Sequence, residues 1–428
     1  MFKYFFAALF IAVLPAWASP VTTSLPDVLK QARENNPEIL AARQTWEVAR
    51  NQVTSVQSWP DPTFTYVDEE FPSGMPGIAN QPVKHYRLEQ PIPFPGKLYN
   101  EGKMKYHEAM LAREAYRMKV LDVVRETRMR YYQLYLTDQK IALAGEGVEM
   151  MKVLLVNAQS RLASGQGSAS DVFMTQTELR RMENNLYEQQ QQRLLIQTEL
   201  NTLLNQPTDI SWGILSAPEL KDLPLTQAQA IQTARQNAPD YMSALHERDH
   251  ASAMLARNKL HFAPDFGVMY EHETSGSRDP GHQVGISVTF PLWLQRPWAD
   301  VRAAQAHVLE AQASGLAMQN EVLKKVQTEY IETRTSITLA RNFTAGILPA
   351  SQSSLAVARQ EYASGQGDII RLLSAYRSWL DAHNDYQDHL YRMAEHWSLL
   401  EAWIGIAMDE AVTTSPIDHG PMEASHDH

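Results

Sequence analysis

The side chains best suited to hold a metal gather at the C-terminal end, where His419, Met422, Glu423, His426, Asp427 and His428 follow one another in a short polar tail. Imidazole suits Zn²⁺, Cu and Ni²⁺, and a thioether favours Cu(I). Composition fixes neither ligand count nor geometry, and a disordered polar tail without a ligand accounts for the same residues. A second set is acidic: Asp68, Glu69 and Glu70, and then Glu271, His272 and Glu273, each where a short strand pattern meets a loop. Brought together in several copies, these carboxylates would raise the local cation concentration; taken singly they are solvated loop charge. His383 stands within an apolar helical stripe, where a packed or hydrogen-bonded histidine is the ordinary outcome. No phosphate-cradling glycine loop, His-Glu-x-x-His helix, nucleophile elbow or paired-carboxylate spacing is found. No enzyme activity and no cofactor are therefore expected.

The chain that must position these groups begins as an exported one. Lys3, the apolar run Tyr4 to Leu14, Pro15 and Ala16-Trp17-Ala18 read as a secretory signal peptide over residues 1–18, and the run is too short for a spanning anchor. There are no cysteines among the 428 residues, which excludes disulfides, thiolate metal sites, a cysteine nucleophile and a lipid anchor on an N-terminal cysteine. No apolar run long enough for a transmembrane helix follows, so membrane crossing, if any, must use β-strands. A formal net charge of −11 and the lack of a basic patch with interleaved aromatics exclude a nucleic-acid partner.

The chain is written twice. Ala163-Ser164-Gly165-Gln166-Gly167 recurs as Ala363-Ser364-Gly365-Gln366-Gly367, and Ala32-Arg33-Glu34-Asn35-Asn36-Pro37 as Ala234-Arg235-Gln236-Asn237-Ala238-Pro239. Pro60-Asp61 returns as Pro264-Asp265, and Gln90-Pro91 corresponds to Phe290-Pro291. The expected organisation is a first repeat over 19–215, a second over 216–410 and a disordered tail over 411–428. Each repeat reads helix, strand, strand, long helix, turn, long helix: a mainly α chain with a small β part. The opening helices run from Leu25 to about Ser58 and from Leu225 to about Leu260. The strands lie near 62–68, 84–92, 265–273 and 282–290, and the turns at 163–168 and 363–368. Between Lys97 and Leu162 strong helix formers dominate and proline is absent, which at 1.5 Å per residue is a rod on the order of 100 Å. The matching stretch Ala299–Tyr362 carries Pro349, expected as a kink. Leu372, Tyr376, Trp379, His383, Tyr386, Leu390, Met393, Trp397, Leu400 and Ile404 alternate four and three apart, a heptad seam. Its partner seam of Leu179, Met182, Leu186, Ile196, Leu200 and Leu203 is interrupted at Gln189 and Arg193, which fits a helix with one face towards water.

The strand segments alternate. Val284, Ile286, Val288 and Phe290 interleave with Gly285, Ser287 and Thr289; Phe64 and Tyr66 with Thr63 and Thr65; Tyr86 and Leu88 with Arg87 and Glu89; Val268 and Tyr270 with Gly267 and Met269. Such segments match transmembrane strands, and equally soluble hairpins with one wet face. Four strands cannot close a barrel, and open edges are forbidden in lipid. If they cross a membrane, several copies share one barrel; three would give about twelve strands.

With the signal peptide, the duplicated order and the paired turns in view, the chain resembles the TolC-like outer membrane factors over essentially its whole mature length. The segment Gln90-Pro91-Ile92-Pro93-Phe94-Pro95-Gly96-Lys97-Leu98 resembles the heavy-metal branch containing CusC- and CzcC-like proteins. The resemblance implies a homotrimer in the outer membrane, with a twelve-stranded β-barrel in contact with lipid and a large periplasmic α-helical barrel. It also implies docking to a periplasmic adaptor and a proton-driven inner-membrane transporter of the RND type. The implied function is passive conduction in a tripartite efflux system, of heavy-metal cations by the branch; drug or solvent efflux is the alternative. A soluble periplasmic coiled-coil adaptor or scaffold is the rival of a different class.

By the same resemblance, Gly165, Gln166, Gly167 and Ser168, with Gly365, Gln366, Gly367 and Asp368, are the periplasmic tips where the entrance closes and the adaptor docks. Turn chemistry alone also explains them, the glycines ending one helix and Ser168 or Asp368 capping the next. Relatives often place an acidic pair just past the second tip; the matching positions here are Arg371 and Ser374, so that ring is not preserved. Asp368 and Arg371 are the gate candidates, and Asp68, Glu69, Glu70, Glu271 and Glu273 the expected outer mouth. His419, Met422, His426 and His428 are the expected metal donors.

Overall fold

A computed structural model of the chain describes residues 24–69, 83–275 and 278–408. The expected signal segment 1–18, Glu70 and the tail with His419, Met422, His426 and His428 lie outside the described residues.

The first half contains α1 (Leu25–Asn35), α2 (Pro37–Gln57), β1 (Thr63–Glu69), β2 (Val83–Ile92), α3 (Lys97–Ala163) and α4 (Ala169–Leu203). The second contains α5 (Gln227–Asn237), α6 (Pro239–Lys259), β3 (Asp265–Ser275), β4 (Arg278–Thr289), α7 (Gln295–Asn342), α8 (Leu348–Ala363) and α9 (Ile369–Ile404). The opening helix expected in each half is a pair of helices. Each break falls before a proline, which pushes the preceding residue out of the α region and itself suits the first helical position. Asn36 and Ala238 have ψ of 124° and 117°. Asn36 Oδ1 accepts hydrogen bonds from the amides of Glu38 at 2.9 Å and Ile39 at 3.3 Å, capping α2. The kink expected at Pro349 is a π-helical turn over Phe343–Ile347 immediately ahead of α8. A proline cannot donate to the carbonyl four residues back and collides with it; a widened turn at that place relieves both.

The chain packs as two compact units. One contains Thr127–Glu219 and Leu348–Gln387. Its core is the facing seams: Met151 of α3, Met182 of α4, Leu355 of α8, and Leu372, Tyr376 and Trp379 of α9 are all buried. His383 extends this seam, its ring 4.4 Å from that of Trp379 and its Nδ1 donating to the Trp379 carbonyl at 2.9 Å. Arg193 does not open the α4 seam to water. Its guanidinium donates to Asp138 at 2.6 Å, to Gln197 at 3.1 Å and to the Trp212 carbonyl at 3.0 Å; Gln190, Gln191 and Gln192 beside it are exposed.

The other unit contains Asn35–Glu126, Leu220–Ile347 and the chain from Asp388. Ala230 and Ala234 of α5 let Val322 and Val326 of α7 and Leu400 and Ile404 of α9 approach closely, and all six are buried. The same unit holds one antiparallel four-stranded sheet in the order β1-β2-β3-β4. The hairpin of the first half joins that of the second edge to edge, Leu88 opposite Tyr270 and Gln90 opposite Val268. β4 begins four residues earlier than its alternation suggested. Pro280 obscured that start, and it falls where the ladder shifts register between Glu273 and Ser275 on an edge strand, a place where a missing amide hydrogen is tolerated.

Candidate functional site

Period-2 side-chain placement divides the sheet into two chemically opposite faces. Cross-strand registers put Phe64 with Leu88, Leu88 with Tyr270 and Tyr270 with Val284 on one face. Tyr66, Phe266, Val268, Ile286 and Val288 share it, and every one of these side chains is exposed, Val284 and Ile286 to 78%. A row of rings crosses the same face: Tyr66 to Tyr86 at 5.3 Å, Tyr86 to His272 at 6.1 Å and His272 to His282 at 4.6 Å. A water-soluble hairpin buries its apolar face; this sheet presents that face to the surroundings, as a lipid-facing strand set does. Among the described residues β1 and β4 each have a sheet neighbour on one side only, so their outer backbone groups offer pairing to further strands.

The opposite face is polar and ion-paired. Glu271, only 6% exposed, accepts from Arg87 Nε at 2.9 Å and lies 2.7 Å from His85 Nδ1. Glu69 is 4.0 Å from His85, and Glu273 is register partner to His85. Asp68 belongs to the apolar face, where it accepts from the Tyr66 hydroxyl at 3.0 Å and lies 4.0 Å from Lys84. The described carboxylates of the expected outer mouth therefore do not form one free acidic set. One is clamped between two bases, and consecutive Asp68 and Glu69 must point to opposite sides of a strand.

The segment Gln90 to Leu98 is a structural bracket. Gln90 donates to the Pro60 carbonyl at 2.8 Å. Asp265, at the start of β3, accepts from the Phe94 amide and the Lys97 ammonium, both at 2.8 Å. No local pattern signals that Asp265, in the repeat copy of Pro60-Asp61, fastens the strand-to-helix junction of the other half.

The two turns are built alike. Gly165 and Gly365 have φ of 73° and 75°, the left-handed conformation that ends a helix at low cost only with glycine. Gln166 N donates to the Arg161 carbonyl at 2.9 Å and Gln366 N to the Glu361 carbonyl at 3.0 Å. Ser168 caps α4, accepting from Ser170 N at 3.0 Å within a box that Asp171 completes. Asp368, exposed, accepts from Ile370 N at 3.3 Å. Arg371 pairs with Glu361 at 3.2 Å, not with Asp368.

Four tip residues escaped the sequence reading. Arg161 lies over the ring of Tyr362, 5.3 Å from its centre. Burial raises the Tyr362 phenol above its ordinary value, against the opposing pull of Arg161; Asp171 and Asp368 add smaller upward contributions. Aligning the repeats would have exposed the pattern: Arg161 and Asp171 of the first tip stand where the second has Glu361 and Arg371. The tips share a backbone and invert their charges.

A sequence profile described as outer membrane efflux protein matches residues 28–206 and again 230–405. The chain belongs to the outer membrane efflux protein family. Its place is accordingly the outer membrane, with a large periplasmic helical part, and its family is one of channels, not enzymes. Among solved structures, the outer-membrane channel OprN aligns with a TM-score of 0.78 at 17% identity over 90% of each chain. CusC aligns with the same TM-score at 16% identity, over 90% of this chain and 93% of its own. The equal scores give the fold and favour neither relative. A curated relative, the proteases secretion protein PrtF of Dickeya chrysanthemi, is 22% identical over 304 residues, 67% of this chain. The match spans 65% of that relative's length.

Proposed function

We propose that three copies of this outer membrane efflux protein join their sheets into one barrel and act as the exit conduit of a tripartite pump. The single observation that carries this reading is the sheet: an exposed apolar face bounded by two unpaired edges. Hydrocarbon accepts the face and rejects the edges, and three sets of four strands close into about twelve, enough for an open lumen. The conduit has no energy source of its own. A periplasmic adaptor and a proton-driven RND-type inner-membrane transporter supply cargo and direction, with the tips at 163–168 and 363–368 as the docking end. Carbonate washing of membranes and crosslinking in detergent test the assembly. Retention in the washed membrane and a trimeric crosslinked species are expected; a chain released by carbonate as a monomer overturns it.

Heavy-metal cations are the cargo we favour. The support is the resemblance of Gln90–Leu98 to the heavy-metal branch, together with the net charge of −11. The relative named for protease secretion favours a polypeptide cargo as the second reading. Growth of a deletion strain under copper, silver, zinc and cobalt challenge, under drug challenge, and assay of its secreted proteases separate the cargoes. Reduced metal tolerance is expected. Unchanged metal tolerance with new drug sensitivity, or with lost protease export, overturns the metal reading.

A further inference from the structure

α3 and α6 run antiparallel: Glu101 lies 3.8 Å from Arg257 and the His107 ring 5.8 Å from that of His246, and Arg117 donates at 2.9 Å to the carbonyl of Asn237, two residues ahead of α6. Between them sits a histidine cluster that neither the sheet nor the tips use. The rings of His107 and His246 are tilted by 40°. The Nδ1 atoms of both are shut off from solvent with no hydrogen-bond partner. Buried polar nitrogens are nearly always satisfied, and two orphaned ring nitrogens on neighbouring rings point to a ligand.

The flanking residues define its chemistry. α6 carries Met242, His246, His250 and Met254 at successive intervals of four, and α3 carries Met104, His107 and Met110 at intervals of three. Residues so spaced share a helix face. In the antiparallel pair, Met110 lies one turn from His107 towards Arg117, and Met242 one turn from His246 towards Asn237. The two histidines thus fall at one level and the two methionines at the next, one turn away, within the span that residues three or four apart on a helix face can bridge. Met110 is buried and Met242 half-buried. His250, one turn further along α6, also has a buried ring nitrogen without a hydrogen bond, its Nε2, which lies 3.4 Å from Glu108 Oε1.

We propose that His107, His246, Met110 and Met242 form a binding site for a soft monovalent metal ion, Cu(I) or Ag(I). Thioether and imidazole together select such ions over Mg²⁺ or Ca²⁺, which need oxygen. Among the described residues no three His, Asp or Glu side chains are grouped as a metal site, which leaves the thioethers to complete the set. A neutral imidazole has one ring nitrogen with a lone pair to donate. A monovalent ion held by neutral donors also brings less charge into a half-buried site than a divalent one. The site belongs to this helix pair and stands whether or not the conduit exports metal.

The test is Cu(I) titration of the full-length, detergent-purified protein against a chromophoric Cu(I) chelator, under reducing, oxygen-free conditions. A background in which His419, His426 and His428 are alanine and Met422 is leucine removes the tail donors. About one Cu(I) per chain is expected to remain, with nitrogen and sulfur scatterers at the copper absorption edge. Both H107Q/H246Q and M110L/M242L should weaken it by about tenfold or more. Met and Leu have nearly the same volume, so the second pair keeps the packing if the first does not fold. A tail-substituted chain that binds no Cu(I), or unchanged affinity in the folded variants, overturns the site; so does a preference for Zn²⁺.

Discussion

The Arg161 guanidinium rests on the Tyr362 ring, 5.3 Å from its centre, and so fastens the first tip of the chain to the second. A cation over an aromatic face is worth about 0.5–1 kcal/mol where it is exposed. That is little for global stability and enough to shift the population of a loosely held tip. Arg161→Ala is expected to leave the melting temperature nearly unchanged and to raise the mean conductance of the purified channel in planar bilayers. Unaltered conductance would show that this contact does not restrain the entrance.

Asp368 is exposed beside that contact and makes only one long capping bond. Threefold repetition would set its carboxylates in a ring, and reversing their sign should change which ions pass. Asp368→Lys is expected to lower cation over anion selectivity, read from the reversal potential in a salt gradient. An identical reversal potential would leave Asp368 as a helix cap alone.

Ile286 is 78% exposed, so in water a lysine there would be nearly neutral. In lipid the same change costs about 2–4 kcal/mol near the midplane. Ile286→Lys and Val284→Lys are therefore expected to reduce the assembled, carbonate-resistant protein, whereas Ser287→Lys on the polar face should not. Equal yields of all three variants would contradict a lipid-facing sheet.

Glu271 is clamped by His85 and Arg87 across the β2–β3 ladder. Glu271→Ala leaves two basic groups without their shared partner and should lower the unfolding midpoint of the assembled sheet. Thermal unfolding followed on a semi-native gel measures this, and Glu271→Asp, shorter but still charged, should recover part of the loss. A midpoint equal to the parent would show the clamp to be unimportant.

Tyr376 is 2% exposed on the α9 seam, and burial pushes its phenol up to about 12. A folded-state value above the ordinary 10 stabilises the fold fully below pH 10, because the unfolded chain gains nothing there by ionising. Above pH 10 the unfolded tyrosine ionises first, so that stabilisation falls away as pH rises towards 12, by up to about 2 kcal/mol. Urea midpoints measured across this window should decline less steeply in Tyr376→Phe. Parallel declines would exclude the residue.

What the sequence determined unaided was everything that repeats or alternates. The Ala-Ser-Gly-Gln-Gly turns, the proline-free run before Leu162 and the period-2 segments around Tyr66 and Ile286 depend on local backbone preference and on one-dimensional period. They fixed the helices, the turns and the strand faces, and through them the family. Tertiary structure decided what pairs with what. The sequence put Asp68 beside Glu69 and Glu271 beside His272 without saying which carboxylate would meet a base. Only the β2–β3 register brings Glu271 to Arg87. Tyr362 under Arg161, and His107 against His246 from the other repeat, likewise depend on how distant helices lie together. Such contacts join residues far apart in sequence through short-range forces, and no local pattern encodes a distance that only packing sets.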